Sequence, residues 1–121
     1  MATILVVDDS TSLRQVVAIS LQSKGYTVIQ AANGQEALAK CDGTKINLVV
    51  SDVNMPIMDG LTFVTAMKKL PRYKFTPVIM LTTEAGSAMK DRGRAAGVKA
   101  WVVKPFKPEQ MLTAVAKLIL P

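Results

Sequence analysis

Four charged side chains stand directly after short runs of apolar residues in the sequence: Asp8, Asp9, Asp52 and Lys104. If those runs are neighbouring strands of one sheet, the four side chains converge at a single edge. Grouped carboxylates repel one another and raise each other's pKa, so three of them stay ionised together only beside a bound hard cation. The pattern therefore predicts a metal site, and Mg²⁺ is the expected ion.

The residue types that are missing narrow the chemistry further. The chain has no histidine, which excludes serine–histidine hydrolases, histidine-ligated zinc and a phosphohistidine formed on the chain itself. Cys41 is the only cysteine, so it has no intrachain disulfide partner, and we interpret it as a packing residue. The chemistry must therefore use carboxylates, hydroxyls and lysine.

Size and charge limit the class of protein. The 121 residues fit one domain, expected to span residues 1–121 as a monomer. The net charge is +6, but basic residues are spread from Arg14 to Lys117 and aromatic residues make up only 5%, which argues against a nucleic-acid binder and favours acidic partners. No apolar run is long enough to span a membrane and no signal peptide is apparent, so we expect a cytoplasmic protein without membrane association.

Apolar runs of strand length alternate with segments of helical period, which is the pattern of a parallel sheet covered by helices on both faces. The first helix is expected to bury one face made of Leu13, Val16, Val17 and Leu21. The last helix is expected to begin at Pro108. The predicted strands are Thr3–Val7, Thr27–Ala31, Leu48–Ser51, Val78–Thr82 and Ala100–Val103.

Breaks between these periodic runs are predicted to be turns, among them Asn33-Gly34 and Asp59-Gly60. In sheets of this kind, ligands bind beyond the carboxyl ends of the strands, where the strand order reverses. The acidic residues are expected at that edge.

The same residues also have purely structural interpretations. An acidic pair after a strand often caps the next helix, so Asp8 and Asp9 could serve only as N-caps. Thr82 could be an ordinary β-branched strand residue, and Lys104 a surface lysine at the end of a strand. For each residue taken alone, the structural interpretation stays open. Polar groups at the ends of three predicted strands nevertheless favour a functional site.

Four motifs, in order along the chain, carry a family resemblance: the Asp8-Asp9 pair, the loop 52–60, the segment 81–84 and the step 104–106. With these motifs the whole chain resembles the receiver domains of response regulators, and more closely the single-domain, chemotaxis-type (CheY-like) members. The resemblance implies an α/β, flavodoxin-like (βα)5 fold. Its five-stranded parallel sheet would have the order 2-1-3-4-5, with helices on both faces.

The resemblance also implies the roles of the reacting residues. Asp52 would be the phosphoacceptor, attacking a phosphohistidine of a partner kinase to form an acyl phosphate. Thr82 would be the switch hydroxyl and Lys104 the contact to the phosphoryl group. Such a protein is not an enzyme in the usual sense, but it catalyses its own phosphorylation and dephosphorylation.

The metal ligands follow from the same resemblance. Mg²⁺ would be held by the carboxylates of Asp9 and Asp52, by the backbone carbonyl of Asn54 and by waters, one of them fixed by Asp8. This set of oxygen ligands suits the octahedral geometry that Mg²⁺ prefers.

Four further positions have roles by resemblance. A cis peptide bond is expected between Lys104 and Pro105. Trp101, where tyrosine is usual, would be either an aromatic rotor that swings inward or a core anchor. Asn54 and Glu84 would tune how long the acyl phosphate lasts.

The expected function is that of a stand-alone response regulator of a two-component system, phosphorylated by a histidine kinase. It would signal by binding an effector such as a flagellar motor switch component, in chemotaxis or motility, with a phosphatase as a further partner. A phosphate sink or phosphorelay intermediate stays open as an alternative. A phosphatase of the haloacid-dehalogenase type fits less well, because that family needs a second aspartate where this chain has Asn54. A mononucleotide binder is disfavoured, because the loop 8–12 is acidic rather than glycine-rich.

Overall fold

All five predicted strands form, and they lie in one sheet. The computed structural model describes residues 2–83 and 87–119. Strands and helices alternate along the chain in the order β1 (Thr3–Val7), α1 (Thr11–Gln22), β2 (Thr27–Ala31), α2 (Gly34–Lys40), β3 (Leu48–Asp52), α3 (Gly60–Lys68), β4 (Val78–Thr82), α4 (Ser87–Ala96), β5 (Val98–Val103) and α5 (Pro108–Leu118). One turn of 3-10 helix, Pro71–Tyr73, lies between α3 and β4.

The sheet has the strand order β2-β1-β3-β4-β5, and every neighbouring pair is parallel. This confirms the predicted order 2-1-3-4-5 and the flavodoxin-like α/β class. The chain passes from β1 outward to β2 and then returns to β3 on the other side of β1. The strand order therefore reverses between β1 and β3, whose carboxyl ends lie side by side at the edge where ligands bind in such folds.

Two apolar layers cover the two faces of the sheet, as predicted. On one face, α2, α3 and α4 pack in a cluster that includes Leu5 and Phe63. On the other face, α1 and α5 pack in a cluster that includes Ile4, Leu21 and Met111. Every residue of β3 and β4 is buried, because these strands lie at the centre of the sheet and are covered on both sides. No helix of the described chain combines the length and apolarity needed to cross a membrane.

Two strands are longer than the sequence predicts, and in both cases pairing with β4 is the reason. β3 continues to Asp52, which is still in register with Leu81. β5 begins at Val98 rather than Ala100, because an irregularity lets Val78 pair with Val98 while Ile79 already pairs with Ala100. Such a shift depends on the partner strand, so the apolar pattern of β5 alone does not reveal it.

Two local predictions for helices are wrong. Val16 is 52% exposed and lies outside the buried face of α1, which is made by Val17, Ala18 and Leu21. The expected turn at Asp59-Gly60 is the start of α3, where the Asp59 side chain accepts a hydrogen bond from the Thr62 N–H as an N-cap.

The Asn33-Gly34 pair also begins a helix rather than forming the predicted turn. Asn33 is the N-cap of α2 and accepts from the N–H of Glu36, while Gly34 is the first helical residue. α5 does begin at Pro108 as predicted, with Glu109 in its first turn. The loops before α2 and α3 are therefore ended by side-chain caps rather than by glycine turns.

Candidate functional site

The three predicted acids converge at the reversal of strand order. Asp8 directly follows β1 and Asp52 ends β3, so adjacent parallel strands deliver both carboxylates to one edge. One oxygen each from Asp8, Asp9 and Asp52 lies within 4.8 Å of the others. Asp8 and Asp52 are buried, whereas Asp9 is exposed, so the cluster is open to solvent on one side. Carboxylate oxygens in this arrangement suit Mg²⁺, which keeps some of its waters when it binds protein.

Lys104 reaches the acidic cluster from the end of β5. Its Nζ lies 3.3 Å from Asp52 Oδ1 and 3.5 Å from Asp8 Oδ2. Its backbone N–H donates to the carbonyl oxygen of Thr82 at 2.7 Å, and its peptide bond with Pro105 is cis, as predicted. The side chain is only 17% exposed, so the alternative of a solvated surface lysine is wrong.

The charges of the cluster do not balance. Three carboxylates lie with the ammonium of Lys104 and with the guanidinium of Arg14, which contacts the Asp8 backbone; a formal excess of one negative charge remains. Burial raises the pKa of Asp52 above its ordinary value and repulsion from Asp8 adds to the increase, while the ammonium of Lys104 opposes it. A divalent cation would supply the missing charge and favour the ionised form of all three acids.

Neither acid of the Asp8-Asp9 pair caps a helix. The N-cap of α1 is Ser10, whose side chain accepts from the N–H of Leu13. Asp8 Oδ1 in turn accepts from the N–H of Ser10 at 2.9 Å, a contact that orients the carboxylate toward the cluster. The capping-only alternative is therefore wrong for both residues.

Arg14 joins the site although nothing in the sequence singles it out. Its Nη1 donates to the backbone carbonyl of Asp8 at 2.7 Å, and its Nε donates to Gln30 Oε1 at 3.2 Å. The guanidinium thus links α1 to the ends of β1 and β2. The contact depends on where α1 crosses the sheet, which local sequence does not reveal.

Gly60 lets α3 begin directly beside Asp52. A Cβ atom at Gly60 would overlap the carbonyl oxygen of Asp52 and lie 3.1 Å from its carbonyl carbon. The Gly60 N–H also donates to the carbonyl of Val53 at 2.8 Å. The glycine is needed for this close approach, and its only sign in the sequence is its place after the capping Asp59.

The other predicted residues lie around this cluster in different environments. Thr82 is 1% exposed at the end of β4, Trp101 is partly buried and Asn54 is exposed. Glu84 lies outside the described residues. The roles assigned to these positions by resemblance stay predictions.

Cys41 has no part in the site. Burial raises the pKa of its thiol to about 11, and the charge of Asp42 adds to the increase. The thiol is therefore neutral and weakly nucleophilic near pH 7, which supports its interpretation as a packing residue.

Known proteins resemble this chain along most of its length. The model of the family described as response regulator receiver domain matches residues 4–116. Chemotaxis protein CheY1 of Helicobacter pylori is 40% identical over 108 residues, which cover 88% of this chain and 87% of CheY1. Among solved structures, chemotaxis protein CheY4 of Vibrio cholerae is 48% identical with a TM-score of 0.94, and the match covers 98% of this chain and 99% of CheY4. TrrA from Thermotoga maritima, solved in complex with Mg(2+)-BeF, is 33% identical with a TM-score of 0.87 over 98% of this chain and 100% of TrrA.

Proposed function

Because the chain belongs to the response regulator receiver domain family, we propose that it accepts a phosphoryl group on Asp52 and signals by phosphorylation-dependent protein binding. The observation that carries this proposal is the convergence of three carboxylates within 4.8 Å of one another, beside the ammonium of Lys104. Residues 1–121 would act as one receiver domain in the cytoplasm. A histidine kinase would be the donor, and the phosphohistidine would lie on the kinase because this chain has no histidine.

Asp52 would act as the nucleophile. One of its carboxylate oxygens attacks the phosphorus of the kinase phosphohistidine, the P–N bond breaks, and its electron pair returns to the imidazole as the acyl phosphate forms. Asp52 Oδ1 already accepts a hydrogen bond from the Val53 N–H at 2.9 Å and pairs with Lys104, so the carboxylate is oriented before the donor arrives. The ammonium of Lys104 would then contact a phosphoryl oxygen as a point charge.

Mg²⁺ fits the residues of this site. Asp9, Asp52 and the backbone carbonyl of Asn54 would hold it, with Asp8 fixing a bound water. When bound, the ion would neutralise the oxygens that gain charge during the transfer. The excess of negative charge in the cluster supports this assignment, as does the relative TrrA, which was solved with Mg(2+)-BeF.

The output surface would lie along β5 and α5. β5 is an edge strand, and between it and α5 lies a groove of about 750 Å³. All residues lining this groove belong to the described part of the chain; they include Lys99, Lys104 and Lys117 and no acidic residue. The basic, partly apolar lining supports an effector segment that is acidic and carries apolar side chains. Thr82 and Trp101 would change this surface when the site is phosphorylated, since a signal requires different affinities in the two states.

Intact-mass measurement after incubation with acetyl phosphate and Mg²⁺ tests the proposal. The wild-type chain should gain the mass of one phosphoryl group, and the gain should disappear in Asp52→Asn and in the presence of EDTA. Asp59→Asn is a matched control, because it removes the charge of an acid outside the cluster. A mass gain that survives Asp52→Asn would place the acceptor elsewhere and refute the assignment.

The effector role is tested by capture. The phosphorylated chain should retain an effector, such as a flagellar motor switch component, more strongly than the unphosphorylated chain or Asp52→Asn does. Equal retention of all three would favour the alternative of a phosphate sink that drains a kinase.

A further inference from the structure

The backbone conformation at Gly93 does not require a glycine. It lies in the interior of α4, where the chain is helical from Ser87 to Ala96, and glycine is among the least favourable residues for a helix interior. Gly93 is nevertheless buried. A side-chain contact, rather than the conformation of the backbone, must account for it.

The contact is with the indole of Trp101. A Cβ atom at Gly93 would lie 3.1 Å from both Cε2 and Cη2 of Trp101 and would overlap Cζ2, which lies between them. The six-membered ring of the indole thus occupies the space that the side chain of any other residue at position 93 would fill. We call this space the Gly93 gap.

The position of Trp101 makes this contact more than core packing. Trp101 is paired with Met80 of β4, two residues before Thr82, and it lies three residues before Lys104. Its side chain packs against the apolar cluster on the α3 and α4 face of the sheet. The indole therefore connects β4 and β5, whose ends carry Thr82 and Lys104, to α4.

We propose that Gly93 positions Trp101: the gap in α4 lets the indole lie inward, and residue 93 sets the balance between this inward indole and one displaced toward solvent. The gap is matched to a bicyclic ring, since a smaller aromatic side chain would leave part of it empty. The role of this balance in signalling rests on the proposed receiver function, whereas the contact between Gly93 and Trp101 does not depend on that function.

Fluorescence of Trp101, the only tryptophan, tests the proposal directly. In unphosphorylated Gly93→Ala the added methyl group should displace the indole, so its emission should shift to the red and quenching by acrylamide should increase at least about twofold as burial is lost. Ala95→Gly is the matched control, because Ala95 is exposed on the same helix and the change weakens the helix without approaching Trp101. Unchanged emission and quenching in Gly93→Ala, or equal changes in Ala95→Gly, would overturn the proposal.

A double-variant comparison keeps the test valid if Gly93→Ala unfolds. With Trp101 present, Gly93→Ala should lower the urea midpoint of unfolding. In a Trp101→Ala background the same change should raise it, because alanine is the better helix former once the ring is gone. Gly93→Ala combined with Trp101→Phe should recover part of the lost stability. The same sign in both backgrounds would refute the inferred contact.

A third measurement separates positioning from simple stability. Gly93→Ala should still gain one phosphoryl group from acetyl phosphate by intact mass, but its fluorescence change on phosphorylation should be at most about half that of the wild type, because the added methyl group closes the gap that an indole swinging inward must enter. A full-sized fluorescence response would contradict the positioning role. If the wild type gains no mass, the receiver function fails while the unphosphorylated fluorescence still decides the contact.

Discussion

At the scale of single residues, two buried carboxylates share the ammonium of one lysine. Asp8 is 1% exposed and Asp52 8%, and both contact the same ammonium of Lys104. Attraction between partly buried charges a few ångströms apart is strong, since little water screens them. Lys104 therefore has two effects: it holds the carboxylates together, and its positive charge opposes binding of a cation.

Replacing Lys104 should separate these two effects. In Lys104→Met, Mg²⁺ should bind tighter by about threefold to tenfold, or about 0.7 to 1.4 kcal/mol, because a competing positive charge is gone. Phosphoryl uptake from acetyl phosphate should slow by about 100-fold, the usual effect of losing one group that stabilises developing charge. Calorimetric titration and timed intact-mass measurement give the two values.

Lys107→Met is the control for this prediction, because Lys107 is exposed and stands at the start of α5. It should leave both values close to those of the wild type. Weaker Mg²⁺ binding in Lys104→Met would mean that Lys104 organises the metal ligands rather than competing with the ion.

At the scale of elements, α3 begins directly beside Asp52 of the acidic cluster. Asp59 caps the helix through the N–H of Thr62 at 2.8 Å and the Thr62 hydroxyl at 3.1 Å. One residue later, Gly60 lies against the carbonyl of Asp52. The cap is therefore near Asp52 in sequence and in space, yet its carboxylate is not one of the three that form the cluster.

Asp59→Ala should therefore change stability without changing metal affinity. Loss of the cap should lower the free energy of unfolding by about 1 kcal/mol, measured by urea denaturation with an unchanged m-value. Asp59→Asn should recover most of the loss, because asparagine is also a good N-cap. Mg²⁺ affinity that falls by more than about tenfold in Asp59→Ala would show that the start of α3 controls the cluster as well.

At the scale of the whole molecule, folding gathers like charges into one acidic cluster. Folding brings three carboxylates together against one ammonium, whereas the unfolded chain keeps them apart. An ion that binds only the folded state stabilises it by about 2.7 kcal/mol at a hundredfold excess over its Kd. Mg²⁺ bound at this cluster would therefore link metal affinity to folding stability.

The effect of Asp9→Asn on the melting temperature should have opposite signs without and with Mg²⁺. In EDTA the substitution should raise the melting temperature, because it removes repulsion and Asp9 forms no ion pair with a described residue. In excess MgCl₂ the wild type should be the more stable of the two. Thermal unfolding in EDTA, in MgCl₂ and in NaCl of equal ionic strength provides the comparison. Asp91→Asn, which changes an exposed acid on α4, should not reverse in this way. A wild-type melting temperature that Mg²⁺ leaves unchanged would contradict the linkage.

The sequence by itself determined most of the element pattern and which residue types are available for chemistry. Periodicity and residue type are local properties, so β1, β2 and β4 were predictable to the residue, and the acids at the strand ends pointed to a cation site. The strand order came from the family resemblance, because local patterns do not specify which strands pair.

Only the tertiary structure decided which distant groups touch. The start of β5 at Val98 depends on a shifted register with β4. The reach of Arg14 to Asp8, and the gap in α4 that Trp101 fills, depend on how helices pack against the sheet. These contacts join residues far apart in sequence or on different elements, and their geometry follows from close packing of the whole domain rather than from any local preference.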